Sequence, residues 1–560
     1  MTKHTPQSDL RNLPACAAEY IKLVIKKMRY RKKVRQDVQA ELAAHFEDAL
    51  KDCISPEEKE QKARQNIEEF GDAKVLGRLL RRAKKRCRPM WRTAAARTFQ
   101  GLGILILCLV IYVAWFLSGK PEITTDYVSE LNLVVRPSAD ESLNARALYE
   151  KAIELYEKSE SEISGILLKR HNQVTAEDKR LITNWLAENK EIVDLLRAGN
   201  AKPYYWQQYE GDVEPMRVLS MRDLSMFRKL AWVLCWRAEF RAANGDYEQV
   251  FEDIKCIYRL GQHLRGDKPL VEQLVGMAIV GLAIERLRDI LGQGRIEAAV
   301  LSELQNDLEK GTYGKDFTLS FKAVKILFYD EIQRCFTADT LDGGHLYFPR
   351  LVRFGYLDEL ISKDEKGRGL ELSEVFLRIA LFPGEWPIAA RILFTQPNRQ
   401  ETMAMAERLY AFLEEVSVKS PAQCHAEGID ITERVREIVK GNLLLEILMP
   451  GIGNVNRISF AAKAGFESTL VIIGLLRYSQ DKGFYPESLE QLAKAGYIKE
   501  VPIDPWSDKA LIYRKTGDNF ILYSVGRNFV DDGGKVIRTQ EGQVRRWAEE
   551  GDWVFWPIEK

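Results

Sequence analysis

Residues 98–119 read TFQGLGILILCLVIYVAWFLSG, 22 positions without a charge. A helix needs about 20 mainly apolar residues to cross the hydrocarbon core of a bilayer, so this stretch has the length of a span. Tyr112 and Trp115 stand near one end, where interfacial aromatics belong. The competing reading is a buried core helix. A secretory signal is not expected, because about a hundred residues precede the stretch and such signals are N-terminal. Arg78, Arg81, Arg82, Lys84, Lys85, Arg86, Arg88, Arg92 and Arg97 crowd its upstream side, whereas Lys120 is soon followed by Glu122, Asp126 and Glu130. Basic flanks stay in the cytoplasm, so the expected topology is N-terminus inside and C-terminal body outside.

Charge divides the chain at the same place. Residues 1–98 hold 24 Lys+Arg against 13 Asp+Glu, a net of +11; the remaining 58 against 68 leave −10. A basic head and an acidic body imply two environments. With 46% apolar residues the chain has the composition of a folded core. LVGMAIVGLAI (274–284) and LVIIGLL (470–476) are too short to span and read as buried helices, so a single crossing is expected.

The head predicts a small helical domain. Ile21, Val24, Ile25 and Met28, then Val34, Val38, Leu42, Phe46 and Leu50, recur at helical spacing. SPEE (55–58) is a helix start with Ser55 as cap and Pro56 in the first turn. Gly71 stops that helix, Asp72 caps the next, and Val75, Leu76, Leu79 and Leu80 form its apolar stripe. Across residues 15–88, Glu41, Leu42, His45, Asp48, Ala63, Phe70, Gly71 and Asp72 resemble the HAAS-type, or permease-prefix, domain. The resemblance implies a cytoplasmic regulatory or interaction domain ahead of a membrane segment, without catalytic residues. KKMRYRKKVR (26–35) could contact phosphate on nucleic acid; anionic lipid headgroups are the favoured partner, and nucleic acid is not.

Beyond the span, residues 140–300 read as helical hairpins. MFRKLAWVLCWRAEFRAANGDYEQVFEDIKCIYRLGQHL predicts two helices joined at Gly245-Asp246 and resembles tetratricopeptide-type repeats, although their Trp-Leu-Gly pattern is absent. Cys235 and Cys256 flank the turn almost symmetrically, either as a disulfide or as small buried core residues. Helices continue through 301–460, with exposed loops expected at 338–350 and 381–387. The six histidines form no His-x-x-x-His pair, and there is no Gly-x-Ser-x-Gly elbow and no phosphate loop. Cys424-His425 reads as a surface loop.

The last hundred residues change character. YSQDKGFYPESLEQL gives a helix end, a Tyr-Pro turn and a short helix; ALIYRK and NFILYSVG around TGDN predict a β-hairpin. Tyr478, Gly483, Tyr485, Pro486, Asp504, Pro505, Trp506, Tyr513, Tyr523, Ser524, Gly526 and Asn528 resemble the globular domain of the type II secretion major pseudopilin, over about residues 461–556. That family's N-terminal membrane helix and processing site are missing before Phe466, so a fibre subunit is not implied. The resemblance implies a calcium-binding loop, with Asn528, Asp531, Asp532 and Asp552 as oxygen ligands; the alternative is a solvated turn.

The expected architecture is mainly α: a cytoplasmic head (1–97), one transmembrane helix (98–119), a linker (120–139), a repeat-like domain (140–300), a helical domain (301–460) and a small α+β module with a β-hairpin (461–560). The arrangement is similar to large membrane-anchored bacterial envelope proteins, which implies the inner membrane with a periplasmic body. No catalytic residue and no organic cofactor is expected. The function expected is binding, with protein partners on both sides of the membrane; an envelope hydrolase with its site in the helical body is the alternative.

Overall fold

The computed structural model describes residues 10–86, 90–167, 169, 174–210, 221–294, 296–310, 317–338, 343–353, 387, 390–449, 452–538 and 549–558. The loop expected at 381–387 lies outside them except for Pro387. The described chain is mainly helical, with its strands confined to the C-terminal part. It divides into two compact units, Met1–Ala114 and Trp115–Lys560.

The first unit contains the helices Ala15–Met28, Lys32–Ala49, Pro56–Phe70 and Ala73–Arg86. Ile21, Val24, Met28, Val38 and Phe46 are fully buried among them. Ser55 and Glu58 close a reciprocal capping box at 3.2 Å each way, as the SPEE signal predicts. Phe70 anchors the turn, its ring centroid 5.2 Å from His45 and 5.6 Å from Phe46. Gly71 turns the chain at φ 72, ψ −157, where a Cβ is strained. Asp72 then accepts from the Lys74 and Val75 N–H groups. The expected stripe on the fourth helix splits: Leu76 and Leu80 join the core, while Val75 and Leu79 remain about half exposed.

The charge-free stretch lies on the 29-residue helix Met90–Ser118. Among the described residues two helices are long and apolar enough to cross a membrane, by length and composition: Arg97–Ser118, whose apolar window is 6% buried, and Ile452–Lys482, 61% buried. The second is longer than LVIIGLL alone suggests. Its Val471, Ile472, Ile473 and Leu475 are sealed in the interior of the second unit. LVGMAIVGLAI falls within the buried helix Leu270–Leu291.

Among the described residues two large cores and a smaller cluster organise the second unit. One core joins residues 145–317 to the helix Val455–Lys482 and the C-terminal sheet; the other gathers Phe116 with residues 319–455. The expected boundary at 300/301 therefore falls inside a core. The 461–560 segment also shares its interior with the hairpins, Phe466 lying against Tyr258 and Phe317 at centroid distances of 5.6 and 6.0 Å. The expected linker 120–139 contains a helix, Tyr127–Val135, capped by Asp126. Leu131 and Val135 are buried against Ala323 and Leu327, because residues four apart share one face of a helix.

The expected hairpin forms from β3 (Ile512–Thr516) and β4 (Asn519–Ser524), paired antiparallel from Thr516↔Asn519 to Ile512↔Tyr523. Gly517 opens its two-residue loop at φ 58, a conformation open to glycine. β5 (Trp553–Trp556) adds a third strand beside β4, and β1 (Ile503–Asp504) pairs separately with β2 (Lys509–Ala510). The sequence pattern does not announce these pairings.

Candidate functional site

The four residues proposed for calcium occupy one loop beside β4 and β5, in two hydrogen-bonded sets. Asp552 is 4% exposed. Its carboxylate accepts from the backbone N–H of Asp532 at 3.2 Å, Gly534 at 2.6 Å and Lys535 at 3.2 Å. Burial pushes its pKa above the usual aspartate range, against the pull of those donors. Asn528 donates to Asp532 at 2.8 Å, so Asn528, Asp532 and Asp552 form a chain. Asp531 turns aside, accepting from the Tyr523 hydroxyl at 2.8 Å and pairing with Arg514 at 3.2 Å. Burial raises it, but Tyr523, the Gly533 N–H and Arg514 together bring it below its ordinary value. The donor chemistry suits a hard cation; in this arrangement both Asp552 oxygens are spent on N–H groups. Among the described residues no cluster of three or more His, Cys, Asp or Glu side chains is arranged to hold a metal ion.

The residues shared with the pseudopilin pattern sit where they knit this module together. Asp504, fully buried, accepts from Trp506 N, Val525 N and the Ser507 and Ser524 hydroxyls at 2.7–3.1 Å. Trp506 meets Trp553 edge-on at 4.1 Å, and the Tyr513 hydroxyl donates to the Pro486 carbonyl at 2.7 Å.

The hairpin Met221–Ala243/Tyr247–His263 forms as expected, but it carries a polar interior that its own residues do not announce. His263 is 5% exposed. Its Nε2 lies 3.1 Å from the Lys202 carbonyl and its Nδ1 2.7 Å from the Tyr149 hydroxyl. Nε2–H therefore donates to the carbonyl, and Nδ1 faces the Tyr149 hydroxyl, whose single proton serves two acceptors, Nδ1 and the Asn200 Oδ1. Asn200 bridges Tyr149, at 2.9 Å, to the Cys256 thiol. Burial first, then the charges of Arg259 and Lys268, drive the His263 pKa down to about 3. The imidazole is thus a neutral strut at physiological pH. Cys256 and Cys235 are free, and burial pushes both up to about 12, so neither is a thiolate nucleophile. Cys256 faces Asn200 while Cys235 neighbours Arg286, which places them in separate surroundings.

A second buried set lies nearby. Tyr209 donates to Glu272 at 2.8 Å, and Lys268 donates to the Tyr205 carbonyl at 2.9 Å, 3.7 Å from the other Glu272 oxygen. Burial lowers Lys268 and raises Glu272. On the long helix, burial raises Glu467 to about 7, beside a 170 Å³ cavity lined by Phe466, Leu470, Ile498 and Pro502.

Two expected surface segments are partly internal. In 338–350, His345 lies tilted against Trp115 at 4.6 Å and stacks on Phe116 at 4.7 Å, and its Nε2 lies 2.9 Å from the Phe116 carbonyl. Ala338 N donates to the Lys120 carbonyl at 3.1 Å. The end of the apolar helix is thereby gripped by a segment more than two hundred residues away. Cys424 belongs to a short helix, Pro421–Ala426, capped by Ser420, and is buried; His425 stacks on Phe529 at 4.1 Å.

Comparison with protein-family models, with curated proteins and with solved structures found no match to this chain.

Proposed function

We propose that this protein is a single-pass inner-membrane protein whose helical body works outside the membrane by binding, coupled to a cytoplasmic interaction head. The observation that carries the reading is the exposure of the helix at residues 97–118. Its Ile104, Leu105, Leu107, Val110 and Ile111 are each more than half exposed, a continuous apolar surface that lipid would cover. The other long apolar helix is mostly enclosed by protein, which supports one crossing. The basic flank supports an inside N-terminus. The grip of His345 and Ala338 on Phe116 and Lys120 would hold this end of the apolar helix within the body.

Binding is favoured over hydrolysis because the buried histidine and thiols are held neutral, away from solvent. Protein partners are proposed on both sides, lipid headgroups for the basic head, and no nucleic acid. Calcium remains a proposal for the terminal loop, with Asn528, Asp532 and Asp552 as its first ligands and Asp531 released from Arg514. Paired reporter fusions test the topology: a C-terminal reporter active only in the cytoplasm refutes it. A turnover activity abolished by one His or acid substitution in the body would favour the hydrolase.

A further inference from the structure

We propose that the helical body contains a binding site for a phosphate-class oxyanion, formed by Arg197, Arg237 and Arg241 around Asp253. The site goes beyond the reading above, and does not depend on which side of a membrane the body lies.

Asp253 projects from the helix Tyr247–His263 and is fully inaccessible. Three guanidinium groups from two other helices converge on it. Arg197 Nη2 lies 3.0 Å and Arg237 Nη1 3.3 Å from Oδ1, and Arg241 Nη1 lies 3.4 Å from Oδ2. Gln249 adds a neutral acceptor, its Oε1 taking bonds from Arg197 at 3.1 Å and Arg241 at 3.0 Å. Two acids on these helices are engaged elsewhere, Glu239 with Arg286 and Glu252 with Lys255.

Charge is the first argument. One guanidinium suffices to neutralise one buried carboxylate. Here three face one, leaving an excess of two positive charges in a partly desolvated place. Burial, and the two neighbouring arginines, already lower the Arg237 pKa against the pull of Asp253. An anion carrying one or two charges relieves that repulsion.

Hydrogen-bonding capacity is the second. Three guanidinium forks hold more N–H donors than one carboxylate and one amide oxygen can accept. Arg197 Nε is buried without a hydrogen-bond partner among the described residues, and Arg237 Nη1 faces Asp253 outside hydrogen-bond geometry. The side chains keep 32%, 17% and 25% exposure for Arg197, Arg237 and Arg241, so part of each reaches solvent. Asp253 thus acts as an internal template that gathers the three forks before a ligand arrives, which removes much of the ordering cost of binding. Planar forks converging on one point suit the several oxygens of a phosphate group.

The test is thermal unfolding of the full chain in neutral detergent, with orthophosphate titrated against chloride at matched ionic strength. A saturable phosphate-specific rise in Tm is expected. Arg197→Gln should weaken the phosphate Kd about tenfold, the loss of one charge-assisted hydrogen bond. Asp253→Asn should lower Tm without anion yet tighten phosphate binding several-fold. A purely structural ion network would not tighten. If Asp253→Asn does not fold, Arg241→Gln takes its place, with a weakened Kd expected. Glycerol phosphate and a short-chain phosphatidic acid below its micelle concentration distinguish the source: equal binding of orthophosphate points to a free ion, and binding only of the lipid to a headgroup. A Tm response no larger than chloride gives, with no lipid binding, or a response unchanged by Arg197→Gln, overturns the site.

Discussion

Acidification should loosen the helical hairpin through His263. The groups facing this imidazole are the Tyr149 hydroxyl, the Lys202 carbonyl, and the charges of Arg259 and Lys268. None is a carboxylate, and the pull of the Lys202 carbonyl toward a protonated ring is outweighed by burial and by the two cations. Its pKa of about 3 in the folded state stands against 6.5 when exposed. Between these values the opened hairpin binds more protons than the closed one. Stability is therefore fully present above pH 6.5 and is lost as pH falls toward 3. At 1.36 kcal/mol per unit, the loss is about 2 kcal/mol at pH 5 and about 4 kcal/mol by pH 3. A large chain need not unfold in one step, so hydrogen exchange over residues 247–263 is the better assay than a global melt. After correction for intrinsic rates, protection there should fall by roughly thirtyfold between pH 7 and 5. His263→Asn should begin less protected, since the ring's contacts with the Tyr149 hydroxyl and the Lys202 carbonyl are lost, but with most of this pH dependence removed. Equal slopes in the two proteins, or protection rising on acidification, would refute the reasoning.

Gly261→Ala should cost about 2 kcal/mol or more, because its Cβ would lie 2.6 Å from the Gly276 carbonyl where two helices cross; denaturant titration checks it. Calcium at millimolar concentration should raise the Tm of the full chain if the terminal loop binds it, and Asp552→Asn should abolish the shift. An equal shift in that variant would leave Asn528, Asp531, Asp532 and Asp552 as a hydrogen-bonded turn.

What could be read in the chain beforehand was local. Ser55 and Glu58 are three residues apart, Gly245 sits between two periodic stripes, and Gly517-Asp518 between two alternating ones; each signal and its partner fall within one turn or hairpin. The architecture was harder, because its contacts join distant segments. Phe116 meets His345 across 229 residues, and the Tyr149 hydroxyl meets His263 across 114. Neither histidine stands in a spacing that reports its partner. Even the three arginines, 197, 237 and 241, look like ordinary solvated positions on amphipathic helices until Asp253 is seen beneath them.

The two long apolar helices show the same limit in another form. Composition alone passes both as membrane spans, yet one is 6% buried and the other 61%. The difference lies in which residues line the helix. Between residues 98 and 118 large aliphatic side chains point in every direction, leaving no polar face for solvent. The helix Val455–Lys482 instead mixes Asn456, Ser459, Ser468 and Thr469 among its apolar residues, and these polar groups have partners inside the protein. Asn456 donates to the Val416 carbonyl at 2.7 Å, while Ser468 and Thr469 bond back to the Gly465 carbonyl at 2.9 and 2.8 Å. Gly474 lets the Tyr497 carbonyl approach where a Cβ would stand 2.9 Å away. A helix that supplies small and polar residues at chosen points can receive other protein segments, and the helix Val455–Lys482 does so through Asn456 and Gly474, whereas the apolar window of Arg97–Ser118 stays 6% buried.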